Sequence, residues 1–332
     1  MNRSNIKFAV SVFVGTWLMI YALRLFDLRQ AIAALRNARE GYLAFAFLLL
    51  VFAYLLRGLR WLIWEEDLRF WDSFKLILVG FMGNNILPAR LGEILRAHVA
   101  ADRIRNEYGR TATLASIVIE RVLDAFVIAG FGLLGLILVH LSGRYFWVLL
   151  WICVAFLAIT VFFVLGVFRH EGLKGMLYGI LKIFPGKIKK ILEEKTKFFI
   201  DGLVQIRSVK KMAYAMAASL TIWGIELAMY YLIVLSILPG ASLGVCLIFL
   251  AAVNFASLFP LTVGGIGAIE SVTTLYLVNA GWPESRAFAV VLVQHAYQFV
   301  FTTVAGLYFY YADGYYNIPV VRRRPRELKQ PQ

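Results

Sequence analysis

Apolar positions in this chain come in long blocks rather than in the alternating periods of soluble strands or surface helices. Crossing a bilayer takes about 20 mainly apolar residues, each rising about 1.5 Å along a helix. Six blocks meet that length: 6–24, 42–64, 112–140, 145–168, 212–238 and 286–311. Two more, 74–87 and 243–259, are too short. Each runs into a proline, Pro88 or Pro260, and a second short apolar segment follows. Proline removes a backbone donor and disfavours helix at the preceding residue, so a helix must break there. Regions 74–100 and 243–280 are therefore predicted as re-entrant hairpins of broken helices, the alternative being ordinary spans kinked at proline. The pattern predicts an all-α polytopic membrane protein, one integral membrane domain over 1–332, with about six full spans and two re-entrant hairpins.

Charge then orients the chain. Segment 169–211, with Lys187, Lys189, Lys190, Lys195 and Lys197, and tail 312–332, with Arg322, Arg323, Arg324 and Arg326, are strongly basic. Basic connections stay on the cytoplasmic side, which predicts a multi-pass inner-membrane protein with both termini cytoplasmic. Within 169–211, basic and apolar residues alternate at helical spacing; that fits an amphipathic helix on the membrane face or an ordinary solvated linker. Arg3 and Lys7 precede the first apolar run, but Arg24, Asp27 and Arg29 separate it from the AIAA at 31–34. An uncleaved first span is expected rather than a signal peptide. Loop 24–41, also rich in arginine, falls on the external side, and its FDLRQAIAALRNARE spacing predicts a helix lying on the surface.

This threading repeats itself. Span, connection, span, broken hairpin and long span occur in 6–140 and again in 145–311, and an odd number of crossings gives the two copies opposite topology. Thirty-two residues separate Pro88 from Glu120 and thirty-four separate Pro260 from Gln294. Inverted repeats with interrupted helices at matching positions are a transporter pattern, and the breaks point to the substrate.

Composition closes off other classes. The 332 residues are 61% hydrophobic and 16% charged, against about half and about a quarter in soluble domains. In a membrane chain a net charge of +14 points to anionic headgroups, not nucleic acid. Cys153 and Cys246 lie far apart in apolar runs, and His98, His140, His170 and His295 are scattered. No metal or other cofactor is expected.

Polar residues inside the apolar blocks carry the candidate chemistry. NNILPARLGEILR holds Asn84, Asn85, Arg90, Glu93 and Arg96. A half-helix starting after Pro88 would place Arg90, Glu93 and Arg96 on one slanted ridge. Its free N–H groups and two guanidiniums suit a phosphate, which arginine grips with two parallel hydrogen bonds. Alternatively Arg90 and Glu93 pair to lock the break, with Arg96 at the headgroups. Gly264, Gly265 and Gly267 after Pro260 can form an anion-binding nest or simply pack helices. Glu270 follows and needs a partner. Glu120, Arg121 and Asp124 form one cluster in the third long run; Gln294, His295 and Gln298 hold the corresponding places in the last. His295 either carries a proton or sits neutral in the core. Glu226 lies mid-span, a plausible partner for a buried arginine, whereas Arg57 and Arg60 can snorkel to the surface. Hairpin one and the third run balance three arginines against three carboxylates, so Glu226 and Glu270 are expected to face Arg90 where the halves meet.

The segments NNILPARLGEILRA and FPLTVGGIGAIE, with IERVLD between them, resemble the hallmarks of the lysylphosphatidylglycerol synthase transmembrane (flippase-like) family. The resemblance covers nearly the whole chain. It implies a polytopic inner-membrane protein linked to movement of lipids between leaflets, and it carries over Asn84, Pro88, Arg90, Gly92, Glu93, Arg96, Glu120, Arg121, Asp124, Pro260, Gly264, Gly265, Gly267 and Glu270. Some members add a cytoplasmic aminoacyltransferase domain; with the last span ending near residue 311, that domain is not expected here. The expected function is a flippase or transporter for an anionic or phosphate-containing lipid, an aminoacyl-phospholipid or a polyprenyl-phosphate-linked lipid. The alternative is a membrane-embedded transferase acting on lipid-linked substrates. A transferase would need paired carboxylates in a hydrophilic loop, a metal motif or a nucleophile with its base. No such motif is found, so the chain is expected not to be an enzyme. Expected partners are membrane lipids and lipid-synthesis enzymes.

Overall fold

In the computed structural model, residues 28–87, 90–103, 109–139, 141, 143–169, 208–258 and 262–317 are described, with scattered positions in 13–21 and 174–203. The first predicted span, the basic connection and the basic tail therefore lie mostly or wholly outside the described residues, as do both hairpin prolines. Every regular element described is helical: α1 Leu28–Arg36, α2 Glu40–Trp61, α3 Phe70–Ile86, α4 Gly92–Arg103, α5 Gly109–Leu138, α6 Gly143–Phe168, α7 Val209–Ile237, α8 Leu243–Ser257, α9 Ala268–Asn279 and α10 Glu284–Ala312, with short 3₁₀ turns at Val263–Gly265 and Tyr315–Asn317.

Five of these helices, α2, α5, α6, α7 and α10, are long and apolar enough to cross a membrane. They coincide with five of the six predicted spans. The two predicted hairpins are present as α3–α4 and α8–α9. At 17 and 15 residues, α3 and α8 reach only about 25 Å, short of an apolar layer about 30 Å thick. α1 is the expected amphipathic helix: Ala31 is fully buried while Arg29 and Arg36 are exposed, and it packs on α10.

The bundle is organised in crossed pairs. α2 lies against α7, α3 against α10 and α8 against α5, while each hairpin's returning limb packs on the long helix behind it, α4 on α5 and α9 on α10. Apolar helices gain no hydrophobic drive from each other in lipid, so close approach and polar contacts must hold them. Gly306 of α10 supplies such an approach: a Cβ there would collide with the Leu78 carbonyl and the Met82 side chain of α3. α6 packs on α5 and otherwise keeps a broad apolar face outward, with Trp147, Trp151 and Phe162 exposed as a lipid-facing span requires.

Candidate functional site

Both hairpins break as their sequences demand. α3 stops at Ile86, and Leu87 is extended at φ −90°, ψ 144°, the geometry a following proline imposes. The chain resumes at Arg90, which sits at φ 55°, the only described non-glycine residue in the left-handed region. That conformation costs a side-chain-bearing residue energy, and such strain persists where the surroundings over-determine it, often at a functional site. α4 then starts at Gly92, where a Cβ would collide with the Gly80 carbonyl and the Asn84 amide. The second break passes through Gly264 (φ 63°), Gly265 (φ 78°) and Gly267 (φ 81°) before α9 begins.

The two tips meet. Asn85 donates from its amide toward the Phe299 carbonyl (3.3 Å) and the hydroxyls of Thr302 and Thr303 (both 2.9 Å) on α10. Arg90 Nη1 donates to the carbonyl of Ser257, at the end of α8, at 3.4 Å. The Asn85 carbonyl lies against Gly264. Arg90 therefore faces neither Glu226 nor Glu270, contrary to expectation, and among the described residues no carboxylate lies within ion-pair distance of it.

The carboxylates have other partners. Glu226 Oε1 stands 2.7 Å from Arg57 Nη1, both side chains almost wholly buried. Gln298 donates to its other oxygen at 3.4 Å, and Arg57 is flanked by the rings of Tyr54, Phe81 and Trp223. Arg60 binds Asp124 through two nitrogens, Glu120 Oε1 at 3.1 Å and Ser219 Oγ at 2.6 Å. Trp223 completes the Asp124 shell at 2.9 Å. Snorkelling does not describe Arg57 and Arg60: they are 4% and 2% exposed and knit α2 to α5 and α7. Arg96 is spent inside this network too, 3.1 Å from Glu120 Oε2 and 3.6 Å above the Trp61 ring. The predicted ridge with Arg90 fails because α4 starts only at Gly92 and Arg90 precedes it in a left-handed turn. Arg57, Arg60 and Arg96 thus balance Glu226, Glu120 and Asp124.

Each returning limb is tied to its long helix by a carboxylate contact. Glu93 lies 3.1 Å from Arg121 Nε and takes a 3.2 Å bond from Asn84; both members remain partly exposed. Arg121 reaches Asp124 at 3.8 Å, so only loosely does it form the predicted cluster. On the other side, Glu270 caps the Gly267 N–H at 2.7 Å and meets His295 Nδ1 at 2.6 Å. The Nε2 of that ring contacts the Gly264 carbonyl at 3.0 Å. The residues missed from sequence (Arg57, Arg60, Ser219 and Trp223, with the Tyr54 ring beside Arg57) share one trait: the polar partners of these four lie tens of residues away.

Loop 62–69 adds three acids, Glu65, Glu66 and Asp67, at one end of the bundle. Glu65 is 5% exposed; burial pushes its carboxyl up to about 7, against the Ser116 hydroxyl bond and the Arg96 charge. Glu66 is exposed and held down by Lys211, at 2.5 Å on the first turn of α7. Among the described residues no group of acids, cysteines and histidines could hold a metal ion.

Fold and buried charge together define a polytopic helical membrane protein with two broken hairpins meeting inside it. The chain belongs to the family described as Lysylphosphatidylglycerol synthase TM region, which matches residues 6–306. A UPF0104 membrane protein of Methanothermobacter thermautotrophicus is 24% identical, covering 91% of this chain and 94% of that protein. Another from Pyrococcus horikoshii is 23% identical over 89% of this chain and 94% of that protein. Glycosyltransferase AglD of Haloferax volcanii is 23% identical over 92% of this chain, which spans 55% of that relative. No solved structure matches. These likenesses give the chain a membrane lipid-related role. The expectation that it is not an enzyme is corrected by them, since a relative matched across nearly the whole chain is named a glycosyltransferase.

Proposed function

We propose that the chain binds an anionic, phosphate-bearing lipid at the meeting point of its two hairpins and carries it between leaflets. One observation carries this reading: Arg90 stands at a helix break in the left-handed region without a carboxylate partner among the described residues. A guanidinium inside a bilayer faces a partner or a water-filled path. The first amides of α4 and the partly exposed Arg121 add positive potential nearby. A second reading is favoured by the name of the Haloferax relative: the same groups position a lipid-linked phosphate for glycosyl transfer. The partners on either reading are membrane lipids and the enzymes that make them.

Reconstitution in liposomes with a panel of fluorescent lipids, scoring leaflet exchange and product formation together, separates the two. Arg90→Lys is expected to slow exchange about tenfold or more, because an ammonium cannot reproduce the planar two-point grip. Wild-type exchange by folded Arg90→Lys protein would remove the bidentate role. Product formation without exchange would favour the transferase.

We also propose an inverted repeat of 6–140 and 145–311 in an inner membrane, with both termini cytoplasmic. The crossed packing of α3 on α10 and α8 on α5 supports it, as does the charge asymmetry. Asn106→Cys and Gly281→Cys are expected to react with an impermeant thiol reagent from opposite sides. Reaction from the same side would sink the repeat.

A further inference from the structure

We infer that Glu270 and His295 form a proton-binding site whose occupancy latches hairpin two to α10. The proton count follows from donors and acceptors. His295 Nδ1 lies 2.6 Å from Glu270 Oε1, and Nε2 lies 3.0 Å from the Gly264 carbonyl. A carbonyl oxygen can only accept, and so can an ionised carboxylate. A neutral imidazole has one N–H and can serve one of them. Both bonds together require one more proton. Glu270 Oε2 already accepts the Gly267 N–H at 2.7 Å, and its carboxylate sits on the first turn of α9, where negative charge is favoured. The extra proton therefore belongs on the ring, giving an imidazolium bridged between a carboxylate and a carbonyl.

Geometry makes that proton mechanical. Gly264 is the turn residue at φ 63°, wedged between the Phe299 ring of α10 and the Asn85 carbonyl of the other tip. Glu270 and His295 are 3% and 8% exposed, so water is poorly placed to replace a lost donor. When the proton leaves to solvent, either Gly264 or Glu270 loses its partner, and the turn is released where the hairpins meet. Hairpin one has no such release, since its cross-link from Glu93 is to Arg121, which stays charged. One hairpin is fixed and the other is proton-gated.

Neighbouring charges leave the pair to itself. α8 brings no charged side chain. Glu226 on α7 is bound to Arg57 of α2, Lys75 of α3 to Asp313, and Arg90 turns to Ser257. α1 carries Arg29 and Arg36 exposed. Buried titratable side chains on the surrounding helices include Tyr54, Cys153, Cys246, Tyr230, whose hydroxyl accepts from Gln294, and Tyr276, edge-on to Tyr145.

The site goes beyond the lipid reading and stands whichever lipid is handled. Its test uses the full chain in nanodiscs with ¹⁵N-labelled histidine, the His295 signals being assigned from His295→Gln. Hydrogen-exchange protection of 262–270 is followed alongside, both from about pH 5.5 to about pH 9. At the acid end both ring nitrogens are expected to be protonated. One proton is then lost as pH rises, and protection of 262–270 falls about tenfold or more with the same midpoint. Glu270→Gln keeps every other titratable group, Glu65 included, and its amide can donate to a neutral ring. Its ring is expected to be neutral throughout and its protection flat. Should that variant fail to fold, flat protection in His295→Gln serves instead. A neutral ring in the wild type at the acid end overturns the site. A ring protonated throughout, or titration without any change in protection, overturns the latch.

Discussion

Arg60→Met is expected to destabilise the folded chain by about 3–5 kcal/mol, the cost of breaking a buried ion pair from one side. The guanidinium of Arg60 is the shared partner of Glu120, Asp124 and Ser219, contributed by α5 and α7. Removing it strands two carboxylates where they are 1% and 3% exposed. Arg96 still compensates Glu120 and Trp223 still donates to Asp124, but the cation left beside Asp124, Arg121, stands 3.8 Å away and is shared with Glu93. Arg60→Met with Asp124→Asn removes the excess charge and is expected to recover about half of the loss, because breaking a buried pair costs more than deleting it. Equilibrium unfolding of detergent-purified protein measures both. An Arg60→Met loss within about 1 kcal/mol, the range of exposed pairs, would mean the network is solvated and holds little together.

Much of this architecture was legible in the apolar blocks, because span length and proline placement are local properties. Five long helices, both broken hairpins and α1 come out with ends shifted by a few residues at most. Pairing was not legible. Glu120 and Asp124 are four apart and share a face, which helical periodicity reveals, but their main partner lies some sixty residues earlier. An arginine near the end of a span reads equally well as a snorkelling residue, so Arg57 and Arg60 carried no signal of their own. Arg90 and Arg96 went wrong for a different reason: a three-residue step predicts a shared ridge only if the helix already includes both residues, and Arg90 lies outside it. At Glu270 and His295 the need for a partner was visible, while the partner emerged only once α9 folded back on α10.

The central seam between α2 and α7 carries the second large effect. Arg57→Met and Glu226→Gln are each expected to cost about 3–5 kcal/mol, and the double variant clearly less than their sum, with a coupling of about 2 kcal/mol or more. The two losses differ in kind. Glu226→Gln leaves a guanidinium among Tyr54, Phe81 and Trp223, whose ring faces attract a cation and soften the damage. Arg57→Met leaves Glu226, 1% exposed, with only the long bond from Gln298. Arg57→Met should therefore be the worse single change. A pair held only by packing would also make the larger side chain's loss dominate, so the coupling rather than the asymmetry marks the ion pair: packing alone would leave the double variant additive. Because α2 and α7 are the helices through which the proposed halves face each other, the cycle also reads the seam directly. Additive losses would show that α2 and α7 are joined by apolar contact alone and that the Arg57–Glu226 bond does not hold the halves in register.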